Sequence, residues 1–298
     1  MLKRKQKKAR LISYGFLLLT TPAITAITQD VSPSMIATRH HYNHVKTILF
    51  TDTSAIKSIA TDSLGLSDAN KTANLKEPTV HLNSQATKFV KDYVKKNSNS
   101  LSKIKERSNN YFTVMNSVFS SYNLPLQLKY LAVIESELNL KAVSHVGAVG
   151  LWQLMPSTAK MLGLKVTRKY DERHLCYKST KAAAKYLNDL YGEFGDWLLV
   201  IAAYNSGPGP VYAAIKKSGS RNFWRLQQYL PAETKLHVKR FIGTQYYFEG
   251  EGSITTLTKA EAEEHLKAMA KFMETKQAAE LVNVSSVDSD NKPIALTR

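Results

Sequence analysis

Glycine and proline recur at short intervals between residues 121 and 250, and this spacing constrains the fold more than any other feature of the chain. Pro125, Pro156 and Pro231 can each start a helix, because proline fits the first helical turn but breaks a helix further in. Glycines such as Gly163 follow at helical lengths and can end these segments. The intervals predict six or seven short helices with little strand signal, in a compact all-α domain over residues 121–250.

Polar residues at the starts of apolar runs predict where other helices of this domain begin. Ser179 or Thr180 can cap one helix, and Asp196 can cap the next, since short oxygen-bearing side chains accept hydrogen bonds from free backbone amides. Pro210 is expected to open the helix after that one.

The regions on either side of this domain differ in composition. In residues 84–120, apolar residues recur at helical spacing and predict N-terminal helices that pack on the domain. Residues 27–83 are rich in Thr, Ser, Asp and Asn, and we expect a partly disordered spacer there. Residues 251–298 are expected to form an amphipathic helix over 257–282, followed by a disordered tail after Val284.

The first 26 residues have the pattern of an export signal. The basic stretch Lys3–Arg10 precedes the uncharged, largely apolar run Leu11–Ile27, which contains the small residues Ala23 and Ala26. This order predicts a signal peptide over residues 1–26 and therefore export to the periplasm or cell envelope. The apolar run is slightly short for a membrane span, but an uncleaved membrane anchor remains the alternative.

The chain is strongly basic, with a formal net charge of +17. Six of these positive charges lie in the first ten residues, so the chain without its first 26 residues would keep +17 less six, or +11. A basic surface favours polyanionic partners, among them nucleic acid, anionic membranes and acidic cell-wall polymers, and charge alone does not choose among them. Cys176 is the only cysteine, so no internal disulfide can form, and we expect a small buried thiol.

One carboxylate is placed where the helical pattern calls for an apolar residue. Leu128, Leu131 and Ala132 form one face of the helix after Pro125, and Glu135 is the next residue on that face. Burial disfavours the charged form of a carboxyl group and raises its pKa, so such a group can hold a proton at neutral pH and donate it. Glu137 is expected on the opposite face. From this helix alone, a Glu paired with a buried cation is the favoured alternative.

Two further segments have the composition of a sugar-binding site. Residues 144–156 form a glycine-punctuated loop in which Trp152, Gln153 and Met155 offer an aromatic face, an amide and a flexible apolar arm. Residues 202–210 end a helix with the pair Tyr204 and Asn205 beside a Gly-Pro turn. Sugars present hydroxyls, amides and apolar ring faces, which this mixture matches.

In combination and in order, four motifs resemble the lytic transglycosylase domain, which is related in fold to goose-type lysozyme. They are Ile134-Glu-Ser136, Gly147-Ala-Val-Gly-Leu-Trp-Gln-Leu-Met-Pro156, Ala203-Tyr-Asn-Ser-Gly207 and Leu230-Pro-Ala-Glu-Thr234 followed by Val238. The resemblance covers about residues 121–250 and is closest to the membrane-bound D subgroup.

The resemblance implies an activity and a set of site residues. Glu135 would be the single catalytic acid and base in a lyase that cleaves peptidoglycan between N-acetylmuramic acid and N-acetylglucosamine, leaving 1,6-anhydromuramic acid ends. The implied substrate-binding positions are Ser144, Gln153, Met155, Tyr204, Asn205 and Glu233. No cofactor is implied, and the implied partner is the peptidoglycan glycan strand, with possible association with the envelope.

Two positions depart from the family pattern. His237 stands where the family usually has Tyr, and His174-Leu-Cys176 replaces a turn that usually contains Asp-Pro. We expect neither departure to touch the proposed acid. His237 has no partner at metal-ligand spacing, so a structural or surface role is expected, and His40, His41 and His44 lack an evident scaffold for a metal.

Three other functions remain as alternatives. A hydrolytic lysozyme on the same fold would need a second carboxylate, for which Glu233 and Glu137 are the nearby candidates. A non-catalytic glycan-binding module would be expected to lack the acid, yet Glu135 is present. A basic nucleic-acid binder is disfavoured by the export signal and by the absence of a recognition motif, so no nucleic-acid partner is predicted.

Overall fold

The computed structural model describes residues 76–289, which form an all-α structure without named β-strands. Residues 76–83 have no regular secondary structure, and the predicted signal peptide and most of the predicted spacer lie outside the described residues. The helices are α1 (Ser84–Arg107), α2 (Asn109–Ser121), α3 (Tyr130–Ser136), α4 (Pro156–Met161), α5 (Cys176–Phe194), α6 (Trp197–Ser206), α7 (Pro208–Ser218), α8 (Phe223–Leu226), α9 (Ala232–Glu249) and α10 (Lys259–Ser289). Short 3₁₀ helices lie at Leu126–Lys129, Glu172–His174, Gln227–Tyr229 and Ile254–Thr256.

Helix α6 lies at the centre of the domain. Its residues 197–203 are all buried, which fits a sequence that is apolar on every face. The predicted cap is present, since the Asp196 carboxylate accepts hydrogen bonds from the backbone amides of Leu198 and Leu199. Helices α5, α7 and α9 pack around α6, and α9 also contacts α3. The all-α prediction is therefore confirmed.

The two N-terminal helices pack on later helices of the chain. Helix α1 lies along α9, and α2 packs against α5. The α1–α9 approach is close at Gly243, where a Cβ atom would lie 2.5 Å from the ring of Tyr93. The Tyr93 hydroxyl also lies 3.1 Å from Thr244 Oγ1, within hydrogen-bonding distance. Gly243 thus permits a contact that joins the flanking helices to the domain.

Several predicted helix ends are wrong by a few residues. Helix α5 begins at Cys176, because the hydroxyls of Ser179 and Thr180 donate to carbonyls of the preceding turn and do not cap a helix start. Helix α7 begins at Pro208, and Pro210 lies within its first turn, where a missing N–H costs no intrahelical bond.

The C-terminal helix is longer than predicted. Helix α10 continues to Ser289, past the expected start of a disordered tail after Val284. Its beginning is tied to the core, since the backbone amide of Lys259 donates to Asp196 Oδ2 at 2.7 Å. No helix within residues 76–289 is long and apolar enough to cross a membrane.

Candidate active site

Glu135 occupies the last turn of α3, and the structure buries it as the helical pattern predicted. Leu128, Leu131 and Ala132 on the same face have no exposed surface, and the Glu135 side chain is 7 % exposed. Loss of water around the carboxyl, and to a lesser extent the negative charge of Glu233, together raise the pKa of Glu135 to about 8. Glu135 therefore holds a proton at neutral pH, as a general acid must.

Glu137 is exposed, also as predicted, but for a different reason. Helix α3 ends at Ser136, and Glu137 caps it in the left-handed conformation with φ of 53°. The helix has thus ended before Glu137. The backbone carbonyl of Glu137 accepts a hydrogen bond from the Arg107 side chain. Two neighbouring carboxylates consequently have different surroundings, and only Glu135 is buried.

The loop from Ser144 to Pro156 is held in place by its own backbone and by a buried arginine. The Arg173 guanidinium donates to the carbonyls of Gly147 and Leu154, each at 2.8 Å. Gly150 has φ of +79°, and a Cβ atom there would collide with the Arg173 carbonyl. The Ser136 hydroxyl donates to the Leu151 carbonyl at 3.0 Å, which fixes the loop against the turn that carries Glu135.

The predicted binding residues of this loop are partly exposed and also stabilise its shape. Ser144 Oγ accepts a hydrogen bond from the Ala148 amide. Gln153 has φ of 44° and its side-chain amide donates to the Gly150 carbonyl at 2.8 Å. Met155 is half-buried at the start of α4.

The prediction that Trp152 offers an aromatic face to a sugar is wrong. The Trp152 side chain has no exposed surface, its ring packs against Phe119, and its indole N–H donates to Thr180. A ring buried on all sides contacts no ligand, so Trp152 serves the core. Its apolar area and its satisfied N–H explain why that position is stable.

Tyr204 and Asn205, at the end of α6, connect the other parts of the site. The Tyr204 hydroxyl donates to the Trp152 carbonyl at 2.8 Å, and burial and then the charge of Glu135 raise the pKa of Tyr204 well above its usual value. Asn205 Oδ1 accepts a hydrogen bond from Thr234 Oγ1 at 2.9 Å, which joins α6 to the first turn of α9. The sequence pair Tyr-Asn is thus fixed to the loop on one side and to α9 on the other.

Glu233 lies in the first turn of α9, beside Thr234. Its carboxylate forms an ion pair with Arg240 Nη1 at 3.5 Å, and it is partly exposed. Its charge acts on Glu135, so the two carboxylates belong to one electrostatic unit. The structure connects four of the seven predicted site residues. The charges of Glu233 and Glu135 act on Glu135 and Tyr204, respectively. Asn205 follows Tyr204 and is hydrogen-bonded to Thr234, the neighbour of Glu233.

The expectation that His237 does not touch the proposed acid is wrong. His237 Nε2 lies 3.4 Å from Glu135 Oε1, and the His237 side chain is 2 % exposed. Burial, and then the charge of Arg240, lower the pKa of His237 to about 3, so the imidazole is neutral. The spacing of His237 in the sequence could have indicated this contact. His237 follows Glu233 by four residues, so the two side chains share one face of the helix.

The other departure from the family pattern lies beside the loop. His174 Nδ1 is 2.7 Å from the Leu140 carbonyl, and the Cys176 thiol is only partly buried, although a buried thiol was expected. Within residues 76–289, no group of three His, Cys, Asp or Glu side chains could hold a metal ion. The cluster of His40, His41 and His44 lies outside the described part of the chain.

Comparison with known proteins identifies the part of the chain that carries these residues. Residues 119–227 match the family described as the transglycosylase SLT domain. This segment of the chain is similar to an SLT domain. It is 44 % identical over 125 residues to the membrane-bound lytic murein transglycosylase D of Escherichia coli (strain K12), a match that covers 40 % of this chain and 27 % of that protein.

Two further proteins are similar to part of the chain. The chain is 38 % identical over 118 residues to a putative tributyltin chloride resistance protein of an Alteromonas species, covering 39 % of this chain and 57 % of that protein. Among solved structures, the 70 kDa soluble lytic transglycosylase of Escherichia coli is similar, with 28 % identity and a TM-score of 0.42 over 49 % of this chain and 26 % of that one. This chain thus spans about a quarter of the length of its Escherichia coli relatives.

The site extends beyond the residues that match the SLT domain. Glu135, the loop and the Tyr204–Asn205 pair lie inside residues 119–227, whereas Glu233 and His237 on α9 lie beyond it. The structure nevertheless packs α9 against α3 and α6. The buried acid of the SLT domain therefore contacts a helix outside the matched segment.

Proposed function

We propose that this protein is a peptidoglycan lytic transglycosylase in which Glu135 acts first as acid and then as base. The observation that carries the proposal is the buried carboxyl group of Glu135, which is protonated at neutral pH and lies inside the segment that matches the SLT domain. The Escherichia coli (strain K12) relative supports it, since that protein is named a membrane-bound lytic murein transglycosylase.

In the first step, protonated Glu135 gives its proton to the glycosidic oxygen between N-acetylmuramic acid and N-acetylglucosamine. The bond between this oxygen and C1 of the muramic acid breaks, and the N-acetylglucosamine leaves with a new hydroxyl. The muramic N-acetyl oxygen supports the positive charge that develops at C1. Glu135 is now a carboxylate, and its charge favours the cation beside it.

In the second step, the Glu135 carboxylate removes the proton of the muramic C6 hydroxyl. The C6 oxygen bonds to C1 and closes a 1,6-anhydro ring, so no water is consumed and Glu135 regains its proton. Tyr204 and Asn205 would orient the reacting sugar. Ser144, Gln153, Met155 and Glu233 would contact neighbouring sugars of the glycan strand.

A hydrolytic lysozyme is the second candidate, and the charge of Glu233 at Glu135 is the observation that favours it. A second carboxylate can hold and activate a water molecule. The ion pair between Glu233 and Arg240 argues against this role, because it already engages the Glu233 carboxylate that would have to hold the water.

The test compares Glu135→Gln with Glu137→Gln on purified peptidoglycan. Gln keeps the shape of the acid but cannot donate or retrieve a proton, so Glu135→Gln should lose at least about 10²-fold in rate. Glu137→Gln changes an exposed group outside the helix and should keep near wild-type activity.

Mass analysis of the products separates the two candidate functions. Wild-type digests should contain 1,6-anhydro ends, which are lighter by one water than reducing ends. Products with reducing ends alone would identify a lysozyme, and an active Glu135→Gln variant would show that another group is the acid.

We also propose that the protein is exported and acts in the periplasm or cell envelope on peptidoglycan strands. The basic and then apolar N-terminus supports this proposal, as does the membrane-bound relative. N-terminal sequencing of the envelope fraction should find the chain cleaved near Ala23 or Ala26.

A further inference from the structure

The contact between His237 and Glu135 is the one feature of the site that the proposed mechanism does not use. His237 Nε2 is buried and has no hydrogen-bond partner, and Glu135 Oε1 faces it at 3.4 Å. A buried polar nitrogen without a partner is uncommon, and each such group calls for an explanation. A small closure of this gap would give a hydrogen bond, which catalytic groups often tighten when substrate binds.

The charge states of the two groups decide what kind of contact this can be. Burial keeps the imidazole of His237 neutral and the carboxyl of Glu135 protonated, so the two do not form an ion pair at neutral pH. A neutral imidazole has one N–H donor and one acceptor nitrogen. Nε2 can therefore donate to Glu135 or accept from it, but not both in one tautomer.

If Nε2 accepted the proton of Glu135, the acid would point its proton away from the sugar and into the protein. If Nε2 carries the hydrogen and donates to Oε1, the acidic proton must sit on the other oxygen, Oε2. Only the second arrangement leaves the proton of Glu135 available for the glycosidic oxygen.

We propose that His237 is a positioning residue whose Nε2–H donates to Glu135 Oε1 and so holds the acidic proton on Oε2. This inference rests on the proposed role of Glu135 as the acid. When Oε2 gives up its proton, the same N–H donates to a carboxylate, and hydrogen bonds to charged groups are the stronger ones. His237 neither gains nor loses a proton in either step.

Other groups around the pair also affect its titration. Glu233 and Arg240 lie on α9 with His237, and Tyr204 faces Glu135 from α6. Glu137 is exposed beyond the end of α3. All four remain in place when only His237 is changed, so a shift between variants reports the contact of His237 itself.

The kinetic test uses the full chain and soluble, uncross-linked peptidoglycan strands. His237→Phe keeps a ring but removes both nitrogens, and His237→Gln restores an N–H donor. The Phe variant should lose about tenfold in kcat with KM nearly unchanged, which corresponds to one hydrogen bond to a charged group. The Gln variant should recover most of this loss.

The pH dependence of kcat/KM distinguishes positioning from packing. An N–H that donates to the carboxylate favours its charged form, so removing that donor raises the pKa of Glu135 further. The alkaline fall of kcat/KM should therefore move up by roughly one pH unit in His237→Phe and remain near its wild-type place in His237→Gln. A Phe variant that is slower with an unmoved alkaline fall would overturn the proposal, as would a Gln variant as slow as Phe.

A measurement on the wild-type chain keeps the proposal testable if a variant does not fold. In ¹⁵N NMR of the histidine-labelled protein, the His237 signals can be assigned as those of the imidazole that shift in Glu135→Gln. At pH 6 these signals should show a neutral ring with its proton on Nε2. A proton on Nδ1, or an imidazolium, would refute the inference. If the wild type instead releases no 1,6-anhydro ends, the proposed function fails, and the NMR result still decides the His237 contact.

Discussion

At the scale of single residues, burial determines the charge states of the site. Glu135 and His237 are both removed from water, and each is held in its neutral form. Asp196 is also buried, and its pKa is raised to about 6, although three backbone amides donate to it. Asp196 uses its oxygens to hold two helix starts, whereas the Glu135 carboxyl lies against the His237 imidazole.

The burial of Glu135 should make the stability of the protein depend on pH. The folded-state pKa of about 8 lies above the ordinary value of 4.5, so between these pH values the folded state holds a proton that the unfolded state has released. Stability should therefore fall as pH rises through this window, by up to about 1.4 kcal/mol per pH unit. Gln does not titrate, so Glu135→Gln should be more stable than wild type, with a gain that grows from pH 5 to pH 8.

Urea unfolding of the wild type, Glu135→Gln and Glu137→Gln at several pH values measures this effect. Glu137→Gln is the matched control, because it makes the same substitution at an exposed position two residues away. An equal pH dependence in wild type and Glu135→Gln would show that Glu135 is not protonated in the folded state.

The proposed role of Glu135 predicts an alkaline limit to activity. The proposed mechanism needs Glu135 protonated in the free enzyme, so kcat/KM of the wild type should fall above about pH 8. A pH–rate profile on soluble glycan strands measures it, with circular dichroism at each pH to confirm that the protein remains folded. A profile that keeps rising to pH 9.5 would exclude Glu135 as the acid with this pKa.

At the scale of elements, the loop between α3 and α4 depends on buried contacts with the Arg173 segment. Arg173 is anchored by Asp171 at 2.7 Å and in turn donates to two loop carbonyls. Gly150 allows this segment to pass close to the loop backbone. The loop bearing Ser144 and Gln153 is therefore held by elements on both sides, which keeps the predicted binding residues in place.

Two glycine substitutions separate backbone strain from steric collision in this loop. Gly147→Ala and Gly150→Ala both place a side chain at positive φ, which costs about 1–2 kcal/mol. A Cβ at residue 150 would also collide with the Arg173 carbonyl, while one at residue 147 meets no atom within 4 Å. Gly150→Ala should therefore be less stable by a further ~1–3 kcal/mol in urea unfolding. Equal losses in the two variants would show that the loop moves freely away from Arg173.

At the scale of the whole molecule, charge is the main determinant of how the protein meets its proposed substrate. The formal charge of +17, or +11 without the first 26 residues, favours an anionic cell-wall polymer. Exposed charges are screened beyond about 10 Å at 0.1 M salt.

Binding to purified cell-wall sacculi should therefore weaken as salt rises. The Glu135→Gln variant, which the proposed mechanism predicts to be inactive, is suited to a pull-down between 50 and 500 mM NaCl, because it should not digest the sacculi. Sacculi stripped of acidic polymers are the control and should show a smaller salt dependence. Binding that is equal at all salt concentrations would contradict an electrostatic contribution.

Local patterns in the sequence predicted the order and approximate extent of the helices and the burial of one carboxylate. These are local properties: Pro and Gly restrict the backbone where they stand, Asp196 caps the residues that follow it, and Glu135 continues an apolar stripe of its own helix. Helix ends were wrong where a side chain had two local choices, as Ser179 and Thr180 did.

The groups that surround Glu135 could be identified only from the packing of the helices in three dimensions. The contact of His237 with Glu135 joins residues about a hundred positions apart, and the burial of Trp152 depends on Phe119 and Thr180 in other helices. Periodicity identifies the face of a helix that is buried, but it does not identify the side chains packed against that face. The packing of α9 on α3 shows which side chains these are. It brings the neutral imidazole of His237 to Glu135 and excludes water from both side chains.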